Sequence, residues 1–305
     1  MIDLEAVRSL RAVAQEGSVS GAATALGFTP SAVSQRIKRL ERETGVALLE
    51  RVGRGVALTD AGTHLVVGST PILAEIEKLR ADLQASATTT GAVSGDLRLA
   101  AFSTVVRGVV APLLVDLASH HPDLRLLVRE SEPWETIALV ASGQRDLGIA
   151  HQWGGVALAI PDNLVVTALF TDVADVIVHR DHPLADRDLV RPADLADEAW
   201  VATFETTICR QWLRRLFDGV GNAPRVVYES MEFETHLELA RTGRAVALVP
   251  RLGRAPLGDD LVAIPTIDPA STRDVVAVHR RSQSDSPALR VALEALIAAG
   301  HPAER

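Results

Sequence analysis

Residues 18–62 read SVSGAATALGFTPSAVSQRIKRLERETGVALLERVGRGVALTDAG. They predict two short helices, a basic hairpin and the start of a third element. Residues 20–26 are small and apolar through Ala22, Ala23, Ala25 and Leu26, so a second helix can cross them closely. Gly27 supplies the positive φ at which a helix ends. Thr29 offers a side-chain oxygen as N-cap, and Pro30 takes the first helical position, where its missing N–H costs nothing. The helix predicted over residues 31–44 puts Val33, Ile37 and Leu40 on one face. Gln35, Arg36, Lys38, Arg39 and Arg42 occupy the rest. This is helix-turn-helix geometry, with the second helix placed to enter a DNA major groove.

The hairpin extends that reading. Leu48 and Leu49 are predicted buried, and Val56, Ala57 and Leu58 form a returning strand. Between them Glu50-Arg51-Val52-Gly53-Arg54-Gly55 makes a glycine-flanked tip with two arginines. A winged module uses such a tip to reach phosphates or a narrow minor groove, which attracts arginine.

Several runs carry a family resemblance: Ala22-Ala23, then Ser31-Ala32-Val33-Ser34-Gln35-Arg36-Ile37-Lys38-Arg39-Leu40-Glu41, then Leu48-Leu49-Glu50-Arg51, then Leu58-Thr59-Asp60-Ala61-Gly62. They resemble LysR-type transcriptional regulators, whose usual form around the recognition helix is closer to S-A-L-S-R-Q-I-R-x-L-E. Here the middle pair is transposed to Gln35 then Arg36. The resemblance implies base contacts from Pro30, Ser31, Ser34 and Gln35, with Arg54 in the wing. Glutamine favours adenine and arginine favours guanine, so the half-site cannot be copied from the commoner pattern. Arg36 belongs to the same DNA-binding set, and Lys38 and Arg39 suit phosphates.

The composition agrees. The chain has 305 residues, long enough for two or three domains, and is 47% apolar and 23% charged. A net charge of −8 would disfavour nucleic acid if it were spread evenly. Residues 28–56, however, carry six basic side chains against three acidic ones, a local positive face on an acidic body. The single cysteine, Cys209, excludes an intrachain disulfide and fits a reducing cytoplasm. The N-terminal stretch is amphipathic, with Leu4, Val7, Leu10, Val13 and Ala14 on one side, and predicts no signal peptide. No window approaches the run of apolar residues that a membrane span needs. A cytoplasmic protein without membrane contact is expected.

Between residues 60 and 87, Leu65, Ile72 and Leu79 recur every seven residues, with Ile76 and Leu83 four after the last two. This is a coiled-coil-like dimer seam. Pro71 predicts a kink; the resembling family often carries a proline near this point. Residues 85–95 then form a small-residue hinge.

From Asp96 the pattern alternates strand and helix. Strands are predicted at residues 97–102, Leu124–Glu130 and 147–150, with helices at 105–119 and 133–142. A second run has strands at 175–179, 200–202, 226–229 and 246–248, with helices at 206–219 and 232–242. The chain then returns through strands at 261–264 and 275–279 and a helix at Pro287–Ala299. Such alternation builds mainly parallel sheet covered by helices. The whole is read as a winged helix-turn-helix over residues 1–60, a linker helix over 61–88 and an effector-binding domain over 89–305. That last domain has two α/β lobes of periplasmic-binding-protein-like type, about 96–165 with 266–300, and 166–265. The run Ala240–Pro250, ARTGRAVALVP, and Asp181-His182-Pro183-Leu184-Ala185 extend the resemblance over essentially the whole chain.

A clamshell binds its ligand between the lobes, at strand ends and helix starts. Ser103 and Thr104 follow the first strand and Thr203 holds the matching place in the second lobe. Ser131, His151, Phe204 and Met231 lie at other strand ends. His120-His121 and the His179/His182 pair lack companions at metal spacing. There is no phosphate loop or nucleophile elbow, and no catalytic residue, metal or cofactor is assigned. Double-stranded DNA carrying an inverted repeat and a small-molecule effector are the expected partners. The resemblance implies a homodimer that pairs into a homotetramer, and it admits RNA polymerase as a further partner. The main competing reading, a solute-binding protein of clamshell fold, leaves residues 18–62 without a role.

Overall fold

The computed structural model describes residues 2–53, 55–87 and 93–300. Arg54 and residues 88–92 of the expected hinge lie outside the described residues. The chain opens with α1 (Leu4–Glu16), α2 (Val19–Leu26) and α3 (Pro30–Thr44), then a hairpin of β1 (Leu49–Val52) and β2 (Gly55–Leu58). Each helix start is capped as its sequence dictates. Ser18 Oγ accepts the Gly21 N–H at 3.0 Å and Thr29 Oγ1 accepts the Ala32 N–H at 3.2 Å. Gly27, at φ 70°, ends α2. Val7, Leu10 and Val13 of α1, Ala22 and Ala23 of α2, and Val33, Ile37 and Leu40 of α3 make one buried core. Glu41 Oε1 accepts the N–H groups of Leu48 at 2.9 Å and Leu49 at 3.3 Å, tying α3 to the hairpin.

The long helix α4 (Asp60–Ala87) continues through Pro71. Proline has no N–H to donate to the Val67 carbonyl one turn back, and the helix runs on without that bond. Leu73 is buried against the winged core.

The remainder is β3 (Gly95–Ala101), α5 (Ser103–Val105), a π-helical turn Val106–Val110, α6 (Ala111–His120), β4 (Leu124–Glu130), α7 (Pro133–Ala141), β5 (Leu147–Trp153) and β6 (Leu164–His179). Then come β7 (Ala199–Ala202), α8 (Ile208–Leu216), β8 (Arg225–Glu229), α9 (Phe233–Arg241), β9 (Val246–Pro250), β10 (Leu261–Pro265), β11 (Thr272–Arg280) and α10 (Pro287–Ala299). The strands follow the order β4-β3-β5-β11-β6-β9-β7-β8, with β10 also on β6. Within each lobe the inner strands are parallel: β3 with β4 and β5, β7 with β8 and β9. The crossover strands β6 and β11 run antiparallel to their neighbours.

Four sequence readings change. The strand expected at 175–179 begins at Leu164 and serves both lobes, its first part on β11 and its last on β9 and β10. Asp172 and Asp175 lie inside this long strand, both buried and paired with arginines from distant segments. Strand β5 likewise runs on to Trp153, and β11 begins at Thr272. The helix expected at 105–119 contains a π turn, a feature common at functional sites. It passes so close to Leu252 and Gly253 that a Cβ on Gly108 would lie 2.9 Å from the Gly253 nitrogen.

Candidate functional site

On α3 the helical period sorts the basic residues. Ser31, Ser34, Gln35, Lys38 and Arg42 fall on the side opposite Val33, Ile37 and Leu40. Pro30, Ser31, Gln35, Lys38, Arg39 and Arg42 are exposed and Ser34 is half-buried. Two other arginines are already engaged. The Arg36 guanidinium sits 3.9 Å from the centre of the Phe28 ring, and Arg39 Nε donates to Glu43 at 3.0 Å. Gln35, Lys38, Arg39 and Arg42 line an open groove of about 990 Å³. Arg42, which the sequence reading left among the remaining polar positions, therefore joins the stripe.

A second site lies between the lobes. Phe102, Ser103, Thr104, Glu132, His151 and Arg273 from one lobe face Thr203, Thr207, Cys209, Met231 and Phe233 from the other, around a void of about 20 Å³. A neighbouring void of about 10 Å³ is lined by Trp153 and His236 among others. These volumes are of the order of a single water.

Arg273 organises this cavity. It is 1% exposed. Its Nε and Nη2 bind one oxygen of Asp172 at 2.9 and 2.7 Å, and Nη2 also donates to Thr104 Oγ1 at 2.7 Å. The guanidinium lies 5.0 Å from the Phe102 ring centre and 5.7 Å from that of Trp153. Asp172 accepts the N–H groups of Val173 and Leu252 on its other oxygen, at 2.8 and 3.1 Å. The pair is thus internally neutral and well bonded, as a buried ion pair must be.

Across the cavity, Thr203 Oγ1 and Thr207 Oγ1 are 2.6 Å apart. Thr207 gives its proton to Phe204 O and caps α8 by accepting the Arg210 N–H, so the Thr203 hydroxyl donates to Thr207. Ser103 opens α5, whose start has no side-chain cap. His151 is 3% exposed, edge-on to Phe102, and its Nδ1 has no partner. Burial, reinforced by Arg273, holds its pKa well below the ordinary histidine value, so the ring is neutral. The Trp153 Nε1 and His236 Nδ1 are also buried without partners. Burial, and then repulsion from Glu130 and Glu135, raises the Glu132 carboxyl above the ordinary range. Burial also pushes the Cys209 thiol up to about 11, so it stays protonated at neutral pH.

Five of the seven positions proposed from strand ends line this void: Ser103, Thr104, His151, Thr203 and Met231. Ser131 is turned instead to Thr136, with hydroxyl oxygens 2.8 Å apart, and Phe204 is 49% exposed and absent from the lining. Arg273 and Asp172 were not singled out for the cavity, and Glu132 was one of five acidic residues near strand ends, with Glu130, Glu205, Glu229 and Glu232, read as able to meet a cationic group. Their sequence signal is faint: a charged residue inside an apolar strand, twice, and one glutamate among several near strand ends. Among the described residues no three histidine, cysteine or carboxylate side chains gather to hold a metal, and no helix is long and apolar enough to cross a membrane.

Comparison with known proteins gives two family matches. Residues 4–63 match the model described as bacterial regulatory helix-turn-helix protein, lysR family, and residues 90–300 match LysR substrate binding domain. The chain is 30% identical over 295 residues to the small neutral protease regulatory protein of Streptomyces coelicolor, covering 94% of this chain and 86% of that one. Among solved structures it resembles a full-length OxyR variant from Pseudomonas aeruginosa with a TM-score of 0.67 at 21% identity, covering 98% and 95% of the two chains. It also resembles a full-length CbnR complexed with its target DNA, with a TM-score of 0.56 at 19% identity, covering 97% and 99%.

Proposed function

This chain belongs to the lysR family of bacterial regulatory proteins, and we propose that it reads an inverted-repeat promoter site through paired α3 helices and senses its effector in the cavity around Arg273. As a family member it is a transcriptional regulator with a helix-turn-helix and an effector-binding domain, not a plain solute-binding protein. The finer assignment divides the chain into a DNA-reading unit over 1–60, a linker over 61–88 and an effector unit over 89–305.

The stripe of Ser31, Ser34, Gln35, Lys38 and Arg42, exposed but for the half-buried Ser34, carries the DNA reading. Gln35 reads a base, Lys38 and Arg42 hold phosphates, and Arg54 anchors the wing. Two copies joined along α4 present two such stripes, so a two-fold protein matches a two-fold site. A pair of dimers and contact with RNA polymerase complete the proposal.

The cavity supports the sensing role because its walls come from both lobes and its small volume leaves no room for an organic ligand until they part. An effector that fits between them changes the opening of the lobes. It shifts DNA binding only through a difference in affinity for the two arrangements. Ser103 and Thr203, one from each lobe, are placed to bridge it.

The test is fluorescence anisotropy on the promoter region beside the protein's own gene. Gln35→Ala is expected to cost about 1–3 kcal/mol on the preferred site and to relax preference at one base pair. Lys38→Ala should weaken all sequences alike and lower the salt slope. A uniform loss in Gln35→Ala would assign that side chain to phosphate instead.

A further inference from the structure

The cavity holds three charged side chains or their direct partners, and only two of them balance. Arg273 is closed onto Asp172 by two contacts to one carboxylate oxygen. Glu132 lines the same void and makes no side-chain hydrogen bond or ion pair with another described residue. It precedes α7 at the N-cap position yet makes no cap hydrogen bond there. The nearby Arg129 is taken by Glu135 at 2.6 Å. The charged groups that act on Glu132 are Glu130 and Glu135, which repel it, and the already paired Arg273. His151 offers no positive charge, because its buried ring is neutral.

A desolvated carboxyl without a counter-ion is costly unless something cationic meets it. Elsewhere the same void is ready for hydrogen bonds. His151 is buried with a free Nδ1, the Ser103 hydroxyl sits at an uncapped helix start, and Arg273 Nη1 makes no hydrogen bond to another described residue. Hydrogen-bonding groups and a lone acid thus line one void, whose wall also carries Phe102 and Phe233.

We propose that the effector carries a primary ammonium group bound by Glu132, and a carboxylate or similar acceptor at Ser103 and Arg273, as an amino acid does. This rests on the reading of the cavity as the effector site. It is narrower than that reading, because neutral and purely anionic metabolites are excluded as the main effector.

The experiment is thermal shift and titration calorimetry on the full-length protein with matched sets of probes. Each set holds an amino acid, its deaminated carboxylic acid and its decarboxylated amine, for small, branched, aromatic and acidic side chains. At least one amine-bearing probe should raise the melting temperature of the wild type, with its deaminated partner far weaker. Glu132→Gln should bind that probe at least about tenfold less tightly, a loss of the size expected of a charge-assisted hydrogen bond. Glu132→Asp should keep part of the affinity. Unliganded Glu132→Gln should melt no lower than wild type, since the change removes a repelled carboxyl. Stabilisation by deaminated acids alone, equal affinity in Glu132→Gln, or no shift from any amine-bearing probe would each overturn the proposal. The first two results would leave the cavity a sensing site; the third, joined to silence from the acids, would remove the sensing role as well.

Discussion

His151, His236 and His279 are each held below the ordinary histidine range, chiefly by burial. In the unfolded chain they take up protons near pH 6.5; in the fold they resist. Below about that pH the unfolded state therefore binds more protons, so stability rises with pH through this window and is lost on acidification. Each histidine adds a slope of up to about 1.4 kcal/mol per pH unit. Urea unfolding across this window should show the fall, and His236→Gln should flatten it by about one proton. A midpoint that does not move with pH would refute it. The same residues show what the sequence could carry. His151, Ser103 and Thr203 were found because a residue after a strand in an alternating pattern points to the cleft. Arg273 escaped because its meaning lies in Asp172, 101 residues away, and no local spacing links the two.

Helix α4 presents a largely exposed apolar stripe. Ile72, Leu79 and Leu83 are 56%, 58% and 62% exposed, and Ile76 stands half-buried between them. Their spacings of four, three and four keep them on one side of a helix. The seam legible in the sequence started earlier, at Leu65, but that side chain packs partly against the winged core. A heptad count sees apolar residues and cannot tell which of two surfaces each one covers. α4 has both, an intrachain face through Leu65 and Leu73 and an outer face from Ile72 onward. Leu79→Asp puts a charge in the middle of the outer face while leaving the inner one alone. Sedimentation should show dissociation of the dimer, with the circular dichroism and melting of the winged unit nearly unchanged. A dimer of wild-type strength would move the seam off α4.

Strand β11 runs from the cavity between the lobes to the linker helix α4. β11 carries a buried arginine near each end, Arg273 in the cavity and Arg280 at the linker, roughly 23 Å apart at the usual rise of a strand. Arg280 Nε donates to Glu77 of α4 at 2.8 Å, and its Nη1 donates to Val140 O and Arg145 O, each at 2.6 Å. Ser282 Oγ joins the same Glu77 oxygen at 2.8 Å, and Gln144 reaches Gln15 of α1 at 2.9 Å. A strand does not stretch, so a displacement at Arg273 reaches Arg280 unless the irregularity between Val275 and Val276 absorbs it. Glu77 is then where the end of β11 is fastened to α4. Removing one partner of a buried pair costs roughly 3–5 kcal/mol, and Glu77→Ala should fall at the low end, because Asp146 and two carbonyls still hold Arg280. Replacing both, as in Glu77→Leu with Arg280→Met, should recover only part of the loss, since the apolar pair needs no counter-charge but leaves the Arg145 carbonyl without its donor. Hydrogen exchange should quicken in α4 around Leu73–Leu83 in Glu77→Ala and stay slow in β3. If the single variant unfolds like wild type and α4 stays protected, Arg280 is held by lobe I alone and α4 is fastened elsewhere.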